Sequence, residues 1–453
     1  MKTQKFSSLK LSDTMVKNLD NIGYKTMTPI QEKALPFILE SRDLIAKAKT
    51  GSGKTAAFGI GLLSKLDVKK FRIQSLVLCP TRELADQVAR ELRQIAKFTH
   101  NIKILTLCGG VSFRYQESSL RHQAHIIVGT PGRVLKHLNK NSLNLEDLNM
   151  LVLDEADRML DMGFIEEIQN VIEFAPKQRQ TLLFSATYPD EIIELCKSIL
   201  DDPVEVEAQI QEAANEIDEY FYEVDEELKV KTLIGLFASF KPKDVIVFCN
   251  TKIECDELAE ELQDSNIDAL ALHGDLEQYE RNDVLVQFAN KSCRVLVATD
   301  VAARGLDIKD LDMVVNYNLP HSKEIYTHRI GRTGRAGAKG ISATFYAKYE
   351  LESVEIYNDE KREFLKINEF PDTSSFEMKP EFFTLVIEGG KKDKLRKGDV
   401  LGSLTGDGGL NGDNIGKIDI YDRQTYVAIK TPMMKNITKN ILIKKRKFTS
   451  WIL

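Results

Sequence analysis

The sequence predicts an α/β protein of two tandem parallel-sheet domains followed by a small α+β domain. Three observations carry that expectation. Apolar runs of four to six residues alternate with helix-like stretches along two successive parts of the chain. The first series holds a glycine-rich loop, Gly51-Ser52-Gly53-Lys54-Thr55, between a strand and a helix. The C-terminal part changes composition and reads as short alternating strands around helical turns.

At roughly 150 residues per domain, 453 residues suggest about three domains, and 43% apolar content supports sizeable cores. No run of about 18 apolar residues occurs, so no membrane span is expected. The start, Met1-Lys2-Thr3-Gln4-Lys5, lacks the apolar core of a signal peptide. Six scattered cysteines (Cys79, Cys108, Cys196, Cys249, Cys255, Cys293) form no C-x-x-C pair and read as buried, reduced thiols of a cytoplasmic protein. A monomer is the expected state. Net charge is −6, but residues 381–453 hold fourteen Lys/Arg and eight Asp/Glu, a net of +6, which leaves −12 on residues 1–380. That asymmetry suggests an acidic catalytic body with a basic appendage for a polyanion.

Gly23 to Gln31 reads as a turn and a helix start, continued by Ala34, Leu35 and Ile38. The Gln31 amide offers one donor and one acceptor, which suits an adenine edge, although the residue alone fixes no role. Asp43 to Ala48 reads as a strand, and helix-like sequence follows Thr55. Between them Thr50, Gly51, Ser52 and Gly53 turn their backbone N–H groups around a phosphate at a helix N-terminus. Lys54 reaches the β- and γ-phosphates, and the Thr55 hydroxyl takes Mg²⁺. The general pattern begins with Gly where this chain has Ala48.

Leu151 to Asp154 is a buried strand that climbs to two carboxylates at its ligand-binding end. Asp154 there holds Mg²⁺ and Glu155 polarises an attacking water. Isolated, the pair would read as solvated acids; the phosphate loop upstream selects the catalytic reading. Three further strands end in similar loops: Ser75 to Cys79 in Pro80-Thr81-Arg82, Lys103 to Leu107 in Gly109-Gly110, and His125 to Val128 in Thr130-Pro131-Gly132-Arg133. Together Arg82, Gly110, Thr130 and Arg133 look like a sugar-phosphate track. Thr181 to Phe184 is another strand, running into Ser185-Ala186-Thr187.

Glu205 to Glu219 is acidic and reads as a linker. A second series follows, with strands at Asp244 to Cys249, Ala269 to Leu272 and Arg294 to Ala298. It has no phosphate loop, so it supplies residues to the first site. Arg329, Arg332 and Arg335 repeat every three residues beside glycines. Such a repeat is either a basic face contacting phosphate or an arginine finger.

Gln31, the phosphate loop, "PTRELA", "GG", "TPGR", "DEAD" and "SAT" stand in the order of the DEAD-box RNA helicases, which the chain resembles. The resemblance implies RecA-like domains, ATP as fuel and RNA as substrate, with Gln31 reading adenine. Phe6 matches an isolated aromatic upstream of that residue. Arg332 and Arg335 match the two finger positions, Asp307 the ribose contact, and Thr299 and Arg304 the second half of the RNA track. Asp157, Ser185 and Thr187 would link the site to domain closure.

Asn368 to Pro380 reads as a second linker. Then come a strand (Phe382 to Ile387), a basic run with Lys391, Lys392 and Lys394, a helix (Asp399 to Leu404), and strands at Ile415 to Ile420 and Thr425 to Ile429. A helix and a strand from Ile441 to Phe448, carrying Lys444, Lys445 and Arg446, would complete a β-α-β-β-α-β domain. That order fits an RNA-recognition fold, whose sheet aromatics usually stack bases; here Tyr426 is the lone aromatic of the third strand, so the lysines of the basic edges are expected to carry more of the RNA binding than sheet stacking does. The stretch from Gly389 to Ile429 resembles the C-terminal domain of the bacterial DbpA-type helicases. It implies capture of a 23S ribosomal RNA hairpin near the peptidyl-transferase centre, and remodelling of pre-50S particles during large-subunit assembly. The expected domains are residues 1–207, 219–366 and 381–453. A general RNA chaperone of the same chemistry and an ATP-gated RNA clamp are the alternatives.

Overall fold

The computed structural model describes residues 4–48, 51–97, 99–208, 217–303, 311–334, 339–358, 362–366, 373, 375–406, 408–436 and 439–453. Thr50, Arg304, Asp307 and Arg335 lie outside the described residues.

The first unit is a seven-stranded, all-parallel sheet. Its strands are β1 (Leu44–Lys47), β2 (Ser75–Leu78), β3 (Ile104–Leu107), β4 (Ile126–Gly129), β5 (Met150–Asp154), β6 (Gln180–Ser185) and β7 (Val204–Glu207), in the order β3-β4-β2-β5-β6-β1-β7. Central strands are apolar without alternation because both faces are covered. Leu151 and Leu153 of β5 enter the core on one side, and Val152 enters the other. Register sets the site: Lys47 pairs with Ser185 and Asp154 with Phe184, so three loops leave neighbouring strands at one level. Two of those loops belong to β1 and β5, which flank β6, and strand ends of this kind form the ligand crevice of open α/β sheets.

The second unit begins with another parallel sheet: β8 (Ile217–Glu223), β9 (Val245–Cys249), β10 (Ala269–Leu272), β11 (Val295–Thr299), β12 (Met313–Asn316), β13 (Gly340–Tyr346) and β14 (Arg362–Lys366), in the order β10-β11-β9-β12-β13-β8-β14. The acidic stretch expected to be a linker is shorter than its composition suggests. Residues 205–207 belong to β7, which pairs with β1, and 217–219 to β8, which pairs with β13 and β14, because backbone pairing into a sheet overrides weak side-chain patterning.

The same unit ends in a five-stranded antiparallel sheet: β15 (Phe382–Ile387), β16 (Ile415–Ile420), β17 (Thr425–Lys430), β18 (Asn440–Ile443) and β19 (Arg446–Ile452), in the order β16-β17-β15-β19-β18. One face packs on the helix Lys397–Thr405 through Leu385, Ile387, Val427, Ile429, Val400 and Leu404. Two expectations are corrected here. The second helix is only a 3-10 segment, Thr431–Asn436. The single strand from Ile441 to Phe448 is instead a hairpin, because Lys444 and Lys445 take φ of 52° and 63°, the paired positive values of a tight type I′ turn.

Candidate ATP and RNA sites

Gly53 has φ +91° and caps the helix Lys54–Lys65. A Cβ there would fall 2.5 Å from the Gln31 side-chain nitrogen, so only glycine fits. Gln31 is buried: its Oε1 accepts the Thr28 N–H at 2.9 Å and its Nε2 donates to the Gly53 carbonyl at 3.0 Å. The residue expected to read adenine therefore also fixes the shape of the phosphate loop. Phe6 is buried in the same core and faces the Tyr24 ring at 6.5 Å.

Lys54, Asp154 and Glu155 are all buried. Burial, with Glu155 adding to it and Lys54 opposing it, pushes the Asp154 carboxyl up to about 7. Asp154 Oδ1, Ser52 Oγ and Thr28 Oγ1 are buried without a hydrogen-bond partner among the described residues. Orphaned oxygens beside a glycine-shaped loop and an ammonium group fit a phosphate chain with its cation. No cluster of three His, Cys, Asp or Glu that could hold a metal by itself occurs among the described residues.

Glu155 adopts a left-handed backbone, φ 56° and ψ 55°, and its carboxylate lies 3.1 Å from the Arg158 guanidinium. Strained non-glycine positions of this kind cluster at functional sites. Next to it, Asp157 Oδ2 accepts the backbone N–H groups of Ala186 and Thr187 and the Thr187 hydroxyl, at 3.1, 3.0 and 3.2 Å. The Ser185 hydroxyl accepts the Asp157 N–H at 3.1 Å and donates to the Thr187 carbonyl at 2.7 Å. The helix after β5 and the loop after β6 are therefore one hydrogen-bonded piece.

The candidate RNA track assembles on β2, β4 and β3. Arg82 lies over Gly109, within 2.7 Å of where a Cβ would stand. Arg133 donates to the Val111 carbonyl at 2.9 Å and to Gln116 Oε1 at 2.8 Å. Burial and the neighbouring Arg82 both lower the Arg133 pKa. Two cations held side by side at strand ends make a site for an anion. Thr130 opens the helix that carries Arg133, and Gly110 takes φ 71°. Sequence reasoning missed Gln116 and His137. Gln116 Nε2 donates to the Cys108 carbonyl at 2.9 Å, and its Oε1 also meets His137 Nε2 at 3.1 Å. No local pattern marks the cluster, since the bonds that join Gln116 to Arg133 and to His137 span 17 and 21 residues of the chain.

In the second unit Thr299 ends β11 and is buried. Arg329 and Arg332 do not share a helical face, because the helix Lys323–Ile330 ends between them. Arg329 is wholly enclosed. Its Nε and Nη2 donate to the two Asp300 oxygens at 2.7 Å, and Nη1 donates to Asn316 Oδ1 at 3.1 Å and the Asn318 carbonyl at 3.3 Å. Its guanidinium also stacks on Phe248, 5.0 Å from the ring centroid. Arg332, just beyond, is buried as well.

In the C-terminal domain Lys391, Lys392 and Lys394 sit at the 3-10 turn after β15, and Lys444, Lys445 and Arg446 at the β18–β19 turn. Lys444 donates to the Lys394 carbonyl at 3.1 Å and pairs with Asp399 at 2.7 Å. Arg446 pairs with Asp393 at 3.3 Å. Fifty residues apart in sequence, the two basic runs form one exposed patch. Tyr426 is corrected: its ring is buried and its hydroxyl donates to Asp283 at 3.1 Å, so it is not a stacking platform.

Comparison with known proteins agrees with this geometry. The DEAD/DEAH box helicase profile matches residues 28–195, the helicase conserved C-terminal domain matches 228–337, and the DbpA RNA binding domain matches 384–449. Fold and site thus define an ATP-hydrolysing RNA helicase of the DEAD-box class. The ATP-dependent RNA helicase DbpA of Escherichia coli (strain K12) is 51% identical over 438 residues, 96% of each chain. The Bacillus subtilis (strain 168) protein of the same name is 38% identical over 97% of each. Saccharomyces cerevisiae Dbp5 bound to RNA and ADP BeF3 superposes with a TM-score of 0.71 and 32% identity, covering 80% of this chain and 96% of that one. The chain belongs to the DbpA-type DEAD-box RNA helicases.

Proposed function

We propose that this RNA helicase remodels 23S ribosomal RNA during assembly of the large ribosomal subunit, recruited by its C-terminal domain to a hairpin near the peptidyl-transferase centre. The observation that carries this is the joined basic patch of Lys391, Lys392, Lys394, Lys444, Lys445 and Arg446, set on a domain separate from the ATP site. A basic surface distinct from the catalytic track gives the enzyme a grip that persists while ATP turns over.

In this reading Thr50 to Thr55 cradle the phosphates, Gln31 and Phe6 border the base, and Asp307 meets the ribose. Thr55 and Asp154 would hold Mg²⁺, which supplies charge neutralisation at the β- and γ-phosphates. Glu155 accepts the proton of the attacking water. Arg332 and Arg335 add positive charge to the transferring phosphoryl when the second RecA-like domain engages. Arg82, Gly110, Thr130, Arg133, Thr299 and Arg304 hold the RNA backbone. The protein works as a cytoplasmic monomer.

Steady-state ATPase with no RNA, an unrelated RNA and a 23S fragment containing the hairpin tests the targeting. The fragment is expected to activate at a concentration at least tenfold below that of unrelated RNA. Lys391→Glu, Lys392→Glu and Lys445→Glu together should abolish that advantage and flatten the salt dependence, since each lost phosphate contact removes ~0.7–0.9 from the log–log slope. Equal activation by every RNA, indifferent to the charge reversals, would leave the chemistry standing and remove the targeting.

A further inference from the structure

Two strands of the C-terminal sheet keep an open outer face. Along β19 the inner residues Phe448 and Ser450 are buried, whereas Lys447, Thr449 and Trp451 are exposed. Along β18 Ile441 and Ile443 are buried, and Asn440 and Leu442 are exposed. Register joins the two rows, because Leu442 pairs with Lys447 and Asn440 with Thr449, and cross-strand partners share a face. On its other edge β19 pairs with β15, which sets Trp451 opposite Val386. There the face closes: Val386 and Tyr426 are 1% and 6% exposed and pack with Val286 of the helix Gln278–Ala289. Trp451 therefore stands where the covered half of the face meets the open half.

Trp451 is the one tryptophan of the chain and is 38% exposed, and Leu442 on the same face is 48% exposed. Isolated apolar side chains on a surface are ordinary. Here three further features coincide. The strand beneath the indole is held on both edges, by β15 and β18, and two residues on the Leu453 N–H donates to the Thr384 carbonyl at 3.0 Å. That strand leads out of the basic turn Lys444-Lys445-Arg446-Lys447, and Lys447 lies on the open face itself, four residues or about 13 Å from Trp451. An exposed carboxylate, Glu388, follows β15 and sits opposite Thr449, whose carbonyl accepts its N–H at 2.8 Å. Negative charge midway along the face repels phosphate there, so a nucleic-acid strand held at Lys447 meets the indole through a base. Aromatic rings that take bases, beside cations that follow the phosphates, are the general pattern of single-strand recognition.

We propose that Trp451 is the base-stacking platform of this domain, taking one unpaired base of the captured RNA on its indole while Lys445 and Lys447 hold the flanking phosphates. The proposal rests on the reading that the basic loops capture RNA, and adds the group that grips a base. Stacking moves out to β19 because the central strands, where this fold class carries its aromatics, have their outer face closed. A stacked base fixes the register of the RNA on the domain, which phosphate contacts by themselves do not.

Because the chain has one tryptophan, its emission reports this site alone. Full-length protein is titrated with the 23S hairpin fragment, following indole emission and, in parallel, the anisotropy of the end-labelled RNA. Emission should fall and saturate at the same RNA concentration as the anisotropy, and acrylamide should lose access to the indole. Trp451→Leu keeps an apolar side chain without a π-face and should weaken hairpin binding about tenfold, whereas Trp451→Phe should stay within about threefold. Replacing the unpaired nucleotides of the fragment one at a time by abasic ones should find one position that removes the quenching. At that position Trp451→Leu should cost no further affinity.

The proposal falls if the fragment binds with emission and acrylamide access unchanged, or if Trp451→Leu binds within about twofold of the unaltered protein. It falls equally if the losses from Trp451→Leu and from the abasic sites multiply at every position. Emission that ignores RNA but shifts on dilution would overturn it in favour of a contact between two copies of the chain. Failure of the recruitment reading looks different: the fragment then binds no better than an unrelated single-stranded RNA, and quenching of the indole by both leaves the platform supported.

Discussion

Gln31 and Gly53 are joined by a hydrogen bond of 3.0 Å from side-chain amide to loop carbonyl. The helix that opens the first domain is thereby tied to the phosphate loop, and the loop's shape depends on a residue 22 positions upstream. Gly53→Ala meets both a positive φ of 91° and a 2.5 Å approach to the Gln31 amide. It should cost ~1–3 kcal/mol of stability. Nucleotide titration should show at least a tenfold loss of ATP affinity, and a melt should show a lower Tm.

Glu155→Gln keeps the size and backbone of the residue and removes its basicity. ATP and RNA binding should persist while turnover falls by two orders of magnitude or more, measured by single-turnover hydrolysis. Normal turnover in this variant would rule out Glu155 as the base. Arg158→Leu, by contrast, removes one partner of a pair in which both side chains are 5% exposed. That change should cost ~3–5 kcal/mol, read as a shifted denaturation midpoint.

The raised Asp154 pKa has a definite sign. Its folded value, about 7, lies above the ordinary 3.8, so between those values the folded chain binds the extra proton. Stability without nucleotide should therefore fall as pH rises from about 4 to about 7, and that slope should shrink in Asp154→Asn. With Mg²⁺ held at Asp154 as proposed, protonation would compete with the cation. Half-saturating Mg·ATP should rise as pH drops below 7, in a titration at fixed ionic strength.

Gln116→Ala leaves Arg133 without one of its anchors and leaves His137 facing an unfilled position. RNA half-activation should worsen about three- to tenfold with ATP affinity unchanged, and stability should drop ~1–3 kcal/mol. Equal loss of ATP and RNA affinity would indicate collapse of the domain instead.

Arg329→Lys preserves charge but cannot reproduce the two-pronged bond to Asp300 or the stack on Phe248. Unfolding of the second domain should begin ~3 kcal/mol earlier. Maximal turnover should fall through displacement of Arg332, while ATP binding to the first domain remains.

The strands beside the ATP site were readable because each is a continuous apolar run ending in chemistry-bearing residues, as Leu151 to Asp154 and Thr181 to Ser185 show. The hairpin at Lys444-Lys445 was not, since neither lysine advertises a positive φ. Arg329 looked like one member of a basic repeat; its burial depends on Asp300, Asn316 and Phe248, which no local window contains.

By itself the sequence determined the two sheets, the phosphate loop, the paired carboxylates and the basic C-terminal domain, because periodicity and motif spacing are local properties of a chain. Only the tertiary structure decided that Tyr426 faces Asp283 rather than solvent, and that Met378 extends a sheet instead of spanning a gap. Those outcomes depend on which surface arrives opposite each residue. Burial of a shared face sets that, and no single stretch of sequence records it.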